Sequence, residues 1–139
     1  IRKIRSRHDA FMISQRTASR KIKQMEDNNE SGVFGFASDQ STRPKPLAYW
    51  RSFMGVHVPV YTGAERMARE FDIPVVFGKM NRIKRGYYEV EFKLLTDTPN
   101  QLPPNAITDT YTEWLESQIK EDPSQYFWTH KRFKHAKNS

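Results

Sequence analysis

The chain has 139 residues, enough for one domain with a hydrophobic core. Its apolar runs all fall well short of the roughly 18 residues of a membrane-spanning helix, and a sequence with no cysteine has no disulfide or thiolate metal site. The net charge of +7 is concentrated in residues 1–25 and 131–139. Such basic ends attract phosphate groups of nucleic acids or lipids, unless they form only a solvated face.

The first part of the chain combines apolar runs with one helical segment. Residues 10–13 and 32–37 are short apolar runs that predict two buried strands. Residues 17–27 between them predict a helix that ends at an Asn pair. Residues 41–52 contain two prolines and predict an irregular loop, which continues in extended form through residues 53–60.

The second part of the chain predicts two helices and two strands. Thr62 is expected to cap a helix that reaches Phe71, with Glu65 three positions later as in a capping box. Tyr88, Val90, Phe92 and Leu94 alternate with charged residues and predict a half-buried antiparallel strand. The other predicted elements are a strand at 73–77, a turn at Gly86 and a helix at 105–121.

This order of elements predicts an α/β layered domain with a partly parallel central sheet flanked by helices. Open sheets of this kind place their chemistry where strands end. Asp39 follows the second apolar run, so its carboxylate is expected at a cleft, although a loop cap is the alternative. Arg43 after it, and Arg5 and Arg7 before the first strand, suit phosphate binding.

The four histidines carry no recognisable catalytic pattern. His8 has Asp9 beside it, which is weak support for an acid–base pair, and His57 lies among apolar residues, which favours a structural role. We expect His130 to hydrogen-bond a backbone group near the chain end. No serine-hydrolase, P-loop or zinc-protease motif is present in the sequence.

Residues 125–134 place aromatic rings directly beside cations. The rings are expected to anchor the chain end to the sheet. Lys131, Arg132 and Lys134 are expected to face an anionic surface.

Several short blocks, in order and across nearly the whole chain, resemble the lipid A biosynthesis acyltransferases. These are the lauroyl/myristoyl transferase branch of the lysophospholipid acyltransferase superfamily. Each block is unspecific alone, and their combination is specific. The blocks are residues 4–7 (Ile-Arg-Ser-Arg), 38–40 (Ser-Asp-Gln), 53–55 (Phe-Met-Gly), 62–68 (Thr-Gly-Ala-Glu-Arg-Met-Ala) and 73–76 (Ile-Pro-Val-Val), then Glu116 followed by Pro123, Trp128, His130, Arg132, Phe133 and Lys134.

The resemblance implies transfer of a fatty acyl group from a thioester donor to a hydroxyl of a lipid A precursor or a related lipid. The family's acid–base pair is His-x4-Asp/Glu, and none of the four histidines has an acid five residues later. Residues 1–139 are therefore expected to be the C-terminal portion of an incomplete α/β acyltransferase domain, inactive alone, with the catalytic pair upstream. Arg5, Arg7, Asp39 and Arg43 are the substrate-binding candidates, and no metal or cofactor is expected.

The resemblance also implies partners and a location. The expected donor is acyl carrier protein or acyl-CoA, and the expected acceptor is a phosphorylated lipid at the cytoplasmic face of the bacterial inner membrane, with an anionic membrane surface as a further partner. An acyltransferase for another lysolipid or an amino-acid lipid fits nearly as well. A basic nucleic-acid-binding module is a further alternative, but the net acidic middle and the lack of a recognition motif argue against nucleic acid as a partner.

Overall fold

A computed structural model describes residues 10–40 and 42–137. The chain divides into two compact units, Ile1–Gly35 and Phe36–Ser139. The described helices are α1 (Ala18–Asp27), α2 (Gly63–Glu70) and α3 (Ala106–Glu121), and the strands are β1 (Trp50–Phe53), β2 (Val56–Pro59), β3 (Val75–Lys84) and β4 (Tyr87–Thr96). Short 3-10 turns at Pro99–Gln101 and Pro123–Gln125 flank α3. None of these helices combines the length and apolarity that crossing a bilayer requires.

The first unit contains α1, as the sequence predicts. Thr17 precedes the helix and Asn28 ends it, where the Asn28 N–H donates to the carbonyls of Gln24 and Glu26. Ile22 is the buried residue of this helix, at 4% exposure.

The two apolar runs that predict strands are not strands. Residues 10–13 and 32–37 have no regular structure, and Phe11 and Val33 are 84% and 97% exposed. A strand needs a neighbouring strand for its backbone hydrogen bonds. Neither run has one in the described part of the chain, so apolar composition alone is a misleading signal here.

The β1–β2 hairpin begins the second unit's core, where the sequence predicts only loop and extended chain. The strands pair antiparallel, from Trp50 opposite Pro59 to Phe53 opposite Val56. Met54 and Gly55 form the two-residue turn. Their φ values of 52° and 79° are both positive, as a common type of two-residue hairpin turn requires. The predicted irregular loop therefore ends before Trp50.

The β3–β4 hairpin confirms the predicted strands and extends both of them, but the prediction that β4 is half-buried is wrong, because residues 87–94 are all exposed. Gly86, with φ of 82°, lies in the turn between them. Phe77 on β3 is 6% exposed and packs edge-on against Tyr111 and Trp114 of α3, with centroid distances of 5.6 and 5.7 Å. We call the side of the hairpin that carries Phe77 the inner face and the opposite side the outer face.

The core of the second unit lies between the two hairpins and α3. Each fully buried aliphatic or aromatic side chain contributes about 1.5–3 kcal/mol. The buried cluster comprises Phe53, Val58, Val60, Phe77, Leu115 and Ile119.

Helix α2 follows Thr62 as predicted, but the capping box does not form. The Thr62 side chain makes no capping hydrogen bond. Glu65 is 5% exposed, and its Oε2 accepts hydrogen bonds from the Thr108 N–H (2.9 Å) and Oγ1 (2.6 Å). Its Oε1 accepts from Arg69 Nε and Nη2, at 2.9 and 2.8 Å. The carboxylate therefore links Arg69 of its own helix to the start of α3 instead of capping α2.

The mixed α/β class is confirmed, since α2 and α3 share one unit with four strands. The partly parallel sheet is not found in residues 10–40 and 42–137, where both sheets are two-stranded and antiparallel. The reason is local: the runs expected to supply parallel strands are irregular, and each remaining strand pairs with its sequence neighbour.

Candidate functional site

Asp39 lies on an irregular segment, not at the end of a strand. Its side chain is half-buried, whereas the neighbouring Gln40 is exposed. The expectation that a buried strand fixes Asp39 is therefore wrong, and another part of the molecule must hold this segment.

Two side chains from the far end of the chain hold the backbone at Asp39 and Gln40. The Tyr126 hydroxyl donates to the Asp39 carbonyl oxygen at 2.7 Å. Arg132 Nη1 donates to the carbonyl oxygen of Gln40. We call these two hydrogen bonds the carbonyl clamp. They bring together residues 87 and 92 positions apart in the sequence.

The two hydrogen-bond donors of the clamp, Tyr126 and Arg132, belong to a C-terminal block, residues 122–137, built of consecutive turns. Tyr126 and Phe133 pack against Phe53 of β1, with ring centroids 6.4 and 6.2 Å apart. The Lys137 N–H donates to the His57 carbonyl at 3.1 Å, which joins the end of the block to β2. These contacts agree with the expectation that rings anchor the chain end to a sheet, and they make the clamp part of the core.

Arg132 differs from its predicted role because it is only 2% exposed. Its guanidinium carbon lies 4.6 Å from the centroid of the Phe53 ring. Its Nε is buried and has no hydrogen-bond partner among the described residues. An arginine in this position cannot face a membrane, so the predicted anionic contact is wrong for Arg132. Lys131 and Lys134 are exposed, and for them it stays a prediction.

Burial dominates the electrostatics around the carbonyl clamp. It lowers the pKa of Arg132, partly offset by the negative charge of Asp39 and by the nearby tyrosines. Burial likewise raises the pKa of Tyr111 and of Tyr126, and the charge of Asp39 contributes in both cases.

The other substrate-binding candidates are Arg43, Arg5 and Arg7. Arg43 is exposed on the loop before β1. Arg5 and Arg7 lie outside the described residues. The phosphate-binding role of these three arginines therefore stays a prediction.

Further aromatic and histidine side chains complete the C-terminal block. Trp128 is 50% exposed, its ring lies 4.9 Å from that of Tyr126, and its Nε1 donates to the Pro123 carbonyl at 2.6 Å. The buried Nδ1 of His130 has no hydrogen-bond partner in the described part of the chain, so the expected backbone contact of this ring nitrogen is not found.

A second polar cluster connects β1 to α3. The Tyr49 hydroxyl donates to Asp109 Oδ1 at 3.0 Å. Arg51 forms ion pairs with Asp109 and with Glu113, the latter at 2.7 Å. The cluster joins the hairpin to the helix through paired charges, which indicates a structural role.

Two further features of the described residues bear on ligand chemistry. In residues 10–40 and 42–137, no group of three or more His, Asp or Glu side chains is placed to hold a metal ion. A shallow pocket of about 190 Å³ lies beside β3, below the roughly 300 Å³ at which ligand cavities begin. The Asp39 segment with its clamp is therefore the best-defined candidate site.

The sequence selects Asp39, whose site role stays a prediction, and gives no indication of Tyr126 as its backbone partner. The available signal was the mixture of rings and cations in residues 125–134. That mixture predicts packing and charge at the chain end, but it does not identify which earlier segment the polar atoms contact.

Comparison with known proteins agrees with the resemblance of the sequence blocks. A model of the family described as bacterial lipid A biosynthesis acyltransferase matches residues 1–135. No curated protein and no solved structure matches the chain.

Proposed function

Because the chain belongs to the bacterial lipid A biosynthesis acyltransferase family, we propose that it serves in moving a fatty acyl group to a lipid hydroxyl. The donor is an acyl thioester, carried by acyl carrier protein or by coenzyme A. The acceptor is a lipid A precursor or a related phosphorylated lipid. The observation that carries the proposal is the family match across residues 1–135.

The chemistry of this transfer needs a base for the acceptor hydroxyl and donors for the oxyanion. In this proposal the base is the histidine of a His-x4-Asp/Glu pair. None of His8, His57, His130 and His135 has an acid five positions later. We therefore propose that the pair is encoded upstream of Ile1, which the gene sequence tests directly: an upstream frame without this pair contradicts the proposal.

Asp39 belongs to the site wall in this proposal. Its support is the Ser-Asp-Gln block and the hydrogen bonds that hold the backbone carbonyls of Asp39 and Gln40. A carboxylate on a backbone held in this way can orient a polar group of the acceptor, while Arg5, Arg7 and Arg43 supply cations for its phosphates.

The decisive experiment uses the intact enzyme with Asp39→Ala and Asp39→Asn. We expect both variants to lose acyl transfer from acyl carrier protein to a lipid A precursor, and to keep a cooperative unfolding transition. Asp97→Ala is the matched control, because Asp97 is exposed and lies away from the clamp residues in sequence. Wild-type transfer rates in a well-folded Asp39→Ala enzyme would exclude Asp39 from the site.

The acceptor class is tested in the same assay. Transfer to a lysophospholipid or an amino-acid lipid, with none to a lipid A precursor, would favour the closest alternative. The activity itself would remain acyl transfer, and only the acceptor would change.

A peripheral location on the cytoplasmic face of the inner membrane completes the proposal. Its support is the basic character of residues 1–25 and of the exposed Lys131 and Lys134. We expect the protein to pellet with liposomes in proportion to their anionic lipid content. Binding that ignores anionic lipid contradicts this location, and tight DNA binding with a steep salt dependence would favour a nucleic-acid partner.

A further inference from the structure

We propose that Arg132 is a positioning residue for the acyl-transfer site, because its buried guanidinium holds the Gln40 carbonyl and thereby sets the direction of the Asp39 carboxylate. The inference rests on the proposed function, because that function makes the Asp39 segment part of an acyl-transfer site. The contact itself rests only on the geometry of the second unit.

The carbonyl clamp fixes two successive peptide groups. The Tyr126 hydroxyl binds the carbonyl of Asp39 and Arg132 binds that of Gln40. Peptide groups are planar, so the orientation of a carbonyl fixes the whole group to which it belongs. With both groups held, the backbone on the C-terminal side of Asp39 cannot rotate without breaking a hydrogen bond, and this side chain has a defined origin.

The guanidinium is itself held by the most buried part of the core. It lies over the ring of Phe53, which is 0% exposed and belongs to β1. A planar guanidinium can stack on a ring and donate from its edge at the same time, whereas a lysine ammonium lacks this fork. Arg132 therefore transmits the position of β1 to the Asp39 segment.

The burial of Arg132 does not follow from stability. A buried charge without a carboxylate hydrogen-bonded to it is costly, and replacement of buried charged groups by apolar side chains of similar volume is often neutral or stabilising. Arg132 is 2% exposed, and its Nε has no partner among the described residues. A role in site geometry accounts for a guanidinium at this position.

The test uses the full-length enzyme with Arg132→Met, Arg132→Lys and Tyr126→Phe. Misplacement by about 1 Å can lower turnover by about a hundredfold, so we expect Arg132→Met to lower kcat by roughly tenfold to a hundredfold. KM should change much less. Arg132→Lys should retain only part of the wild-type kcat, and Tyr126→Phe should lose less kcat than Arg132→Met. Arg85→Met is the matched control, because Arg85 is exposed at the hairpin turn and should leave kcat unchanged.

Two structural measurements separate positioning from a purely structural role. The unfolding midpoint of Arg132→Met should be equal to or above that of the wild type. Hydrogen–deuterium exchange on the millisecond scale should become faster at the amides of residues 37–43. If Arg132→Met does not fold, Arg132→Lys, which keeps the charge but lacks the planar fork, decides through the same exchange and kcat measurements.

The outcomes distinguish the inference from the proposed function. Unchanged exchange at residues 37–43, or faster exchange with unchanged kcat, overturns the inference while acyl transfer by the wild type stands. A wild-type enzyme without acyl transfer overturns the proposed function, and the exchange measurement alone then decides whether Arg132 holds the segment. Faster exchange with a selective loss of kcat supports the inference.

Discussion

The two faces of the β3–β4 hairpin are built by the same strands but have opposite environments. On the inner face, Phe77 packs on α3, Lys79 pairs with Glu121, and Lys93 lies 4.0 Å from the Trp114 ring centroid. On the outer face the side chains are exposed and almost all apolar. The apolar ones are Val76, Met80, Tyr88, Val90, Phe92 and Leu94, and the charged exception is Arg82.

This comparison shows that alternation predicts a strand without predicting which face is covered. The sequence alternation in β4 suggests that Tyr88, Val90, Phe92 and Leu94 are the buried side. The structure places this side outward, with Phe92 71% exposed, and turns Lys93 toward α3. A contiguous apolar face of this kind marks an interaction surface or a tendency to self-associate.

The largest expected effect is at the inner face. Phe77→Ala removes a ring that is 6% exposed and contacts two aromatic rings of α3. We expect a loss of about 3–5 kcal/mol in the free energy of unfolding, because the cavity forms in a packed core. Urea unfolding measures this, and a loss near zero would show that α3 does not cover the hairpin.

A smaller effect is expected where the inner face is partly solvated. Lys93→Ala removes the cation above the Trp114 ring, at the 4.0 Å distance already noted. Since Lys93 is exposed, we expect a loss of about 0.5–1 kcal/mol. Lys93→Arg is the control and should retain most of the free energy, whereas an equal loss in both variants would mean that the contact is not cation–π.

The smallest effect on stability is expected at the outer face. Phe92→Ala should change the free energy of unfolding by no more than about 0.5 kcal/mol, because the ring is exposed. The same variant should reduce self-association at high concentration, as seen by size-exclusion chromatography. A loss as large as that of Phe77→Ala would show that the outer face is covered in solution and would remove the contrast between the faces.

Much of the local structure could be predicted from sequence. The helix limits near Thr17 and Asn105 and the turn at Gly86 follow from local backbone preferences, and α1, α3 and the β3–β4 turn confirm them. Partners at long sequence separation could not be predicted. Glu65 reads as a cap for α2 but binds Thr108, and Arg132 reads as a surface cation but is buried on Phe53.

Asp39 is a site candidate from the sequence, but the structural reason for choosing it is incorrect. Asp39 was selected because an apolar run precedes it, yet that run is irregular. What holds the Asp39 segment is a phenol and a guanidinium roughly ninety positions later. The pattern of residues indicates local secondary structure and polarity. The Tyr126 and Arg132 hydrogen bonds depend instead on how distant segments pack together.

The carbonyl clamp also sets an order of events during synthesis. Gln40 leaves the ribosome 92 residues before Arg132, the residue that fixes its carbonyl. Translation runs from the N-terminus, so β1, both hairpins and α3 are all made before the clamp can close. A premature stop codon shortly before position 132 would therefore leave the strands and helices encoded intact but remove the guanidinium that holds Gln40.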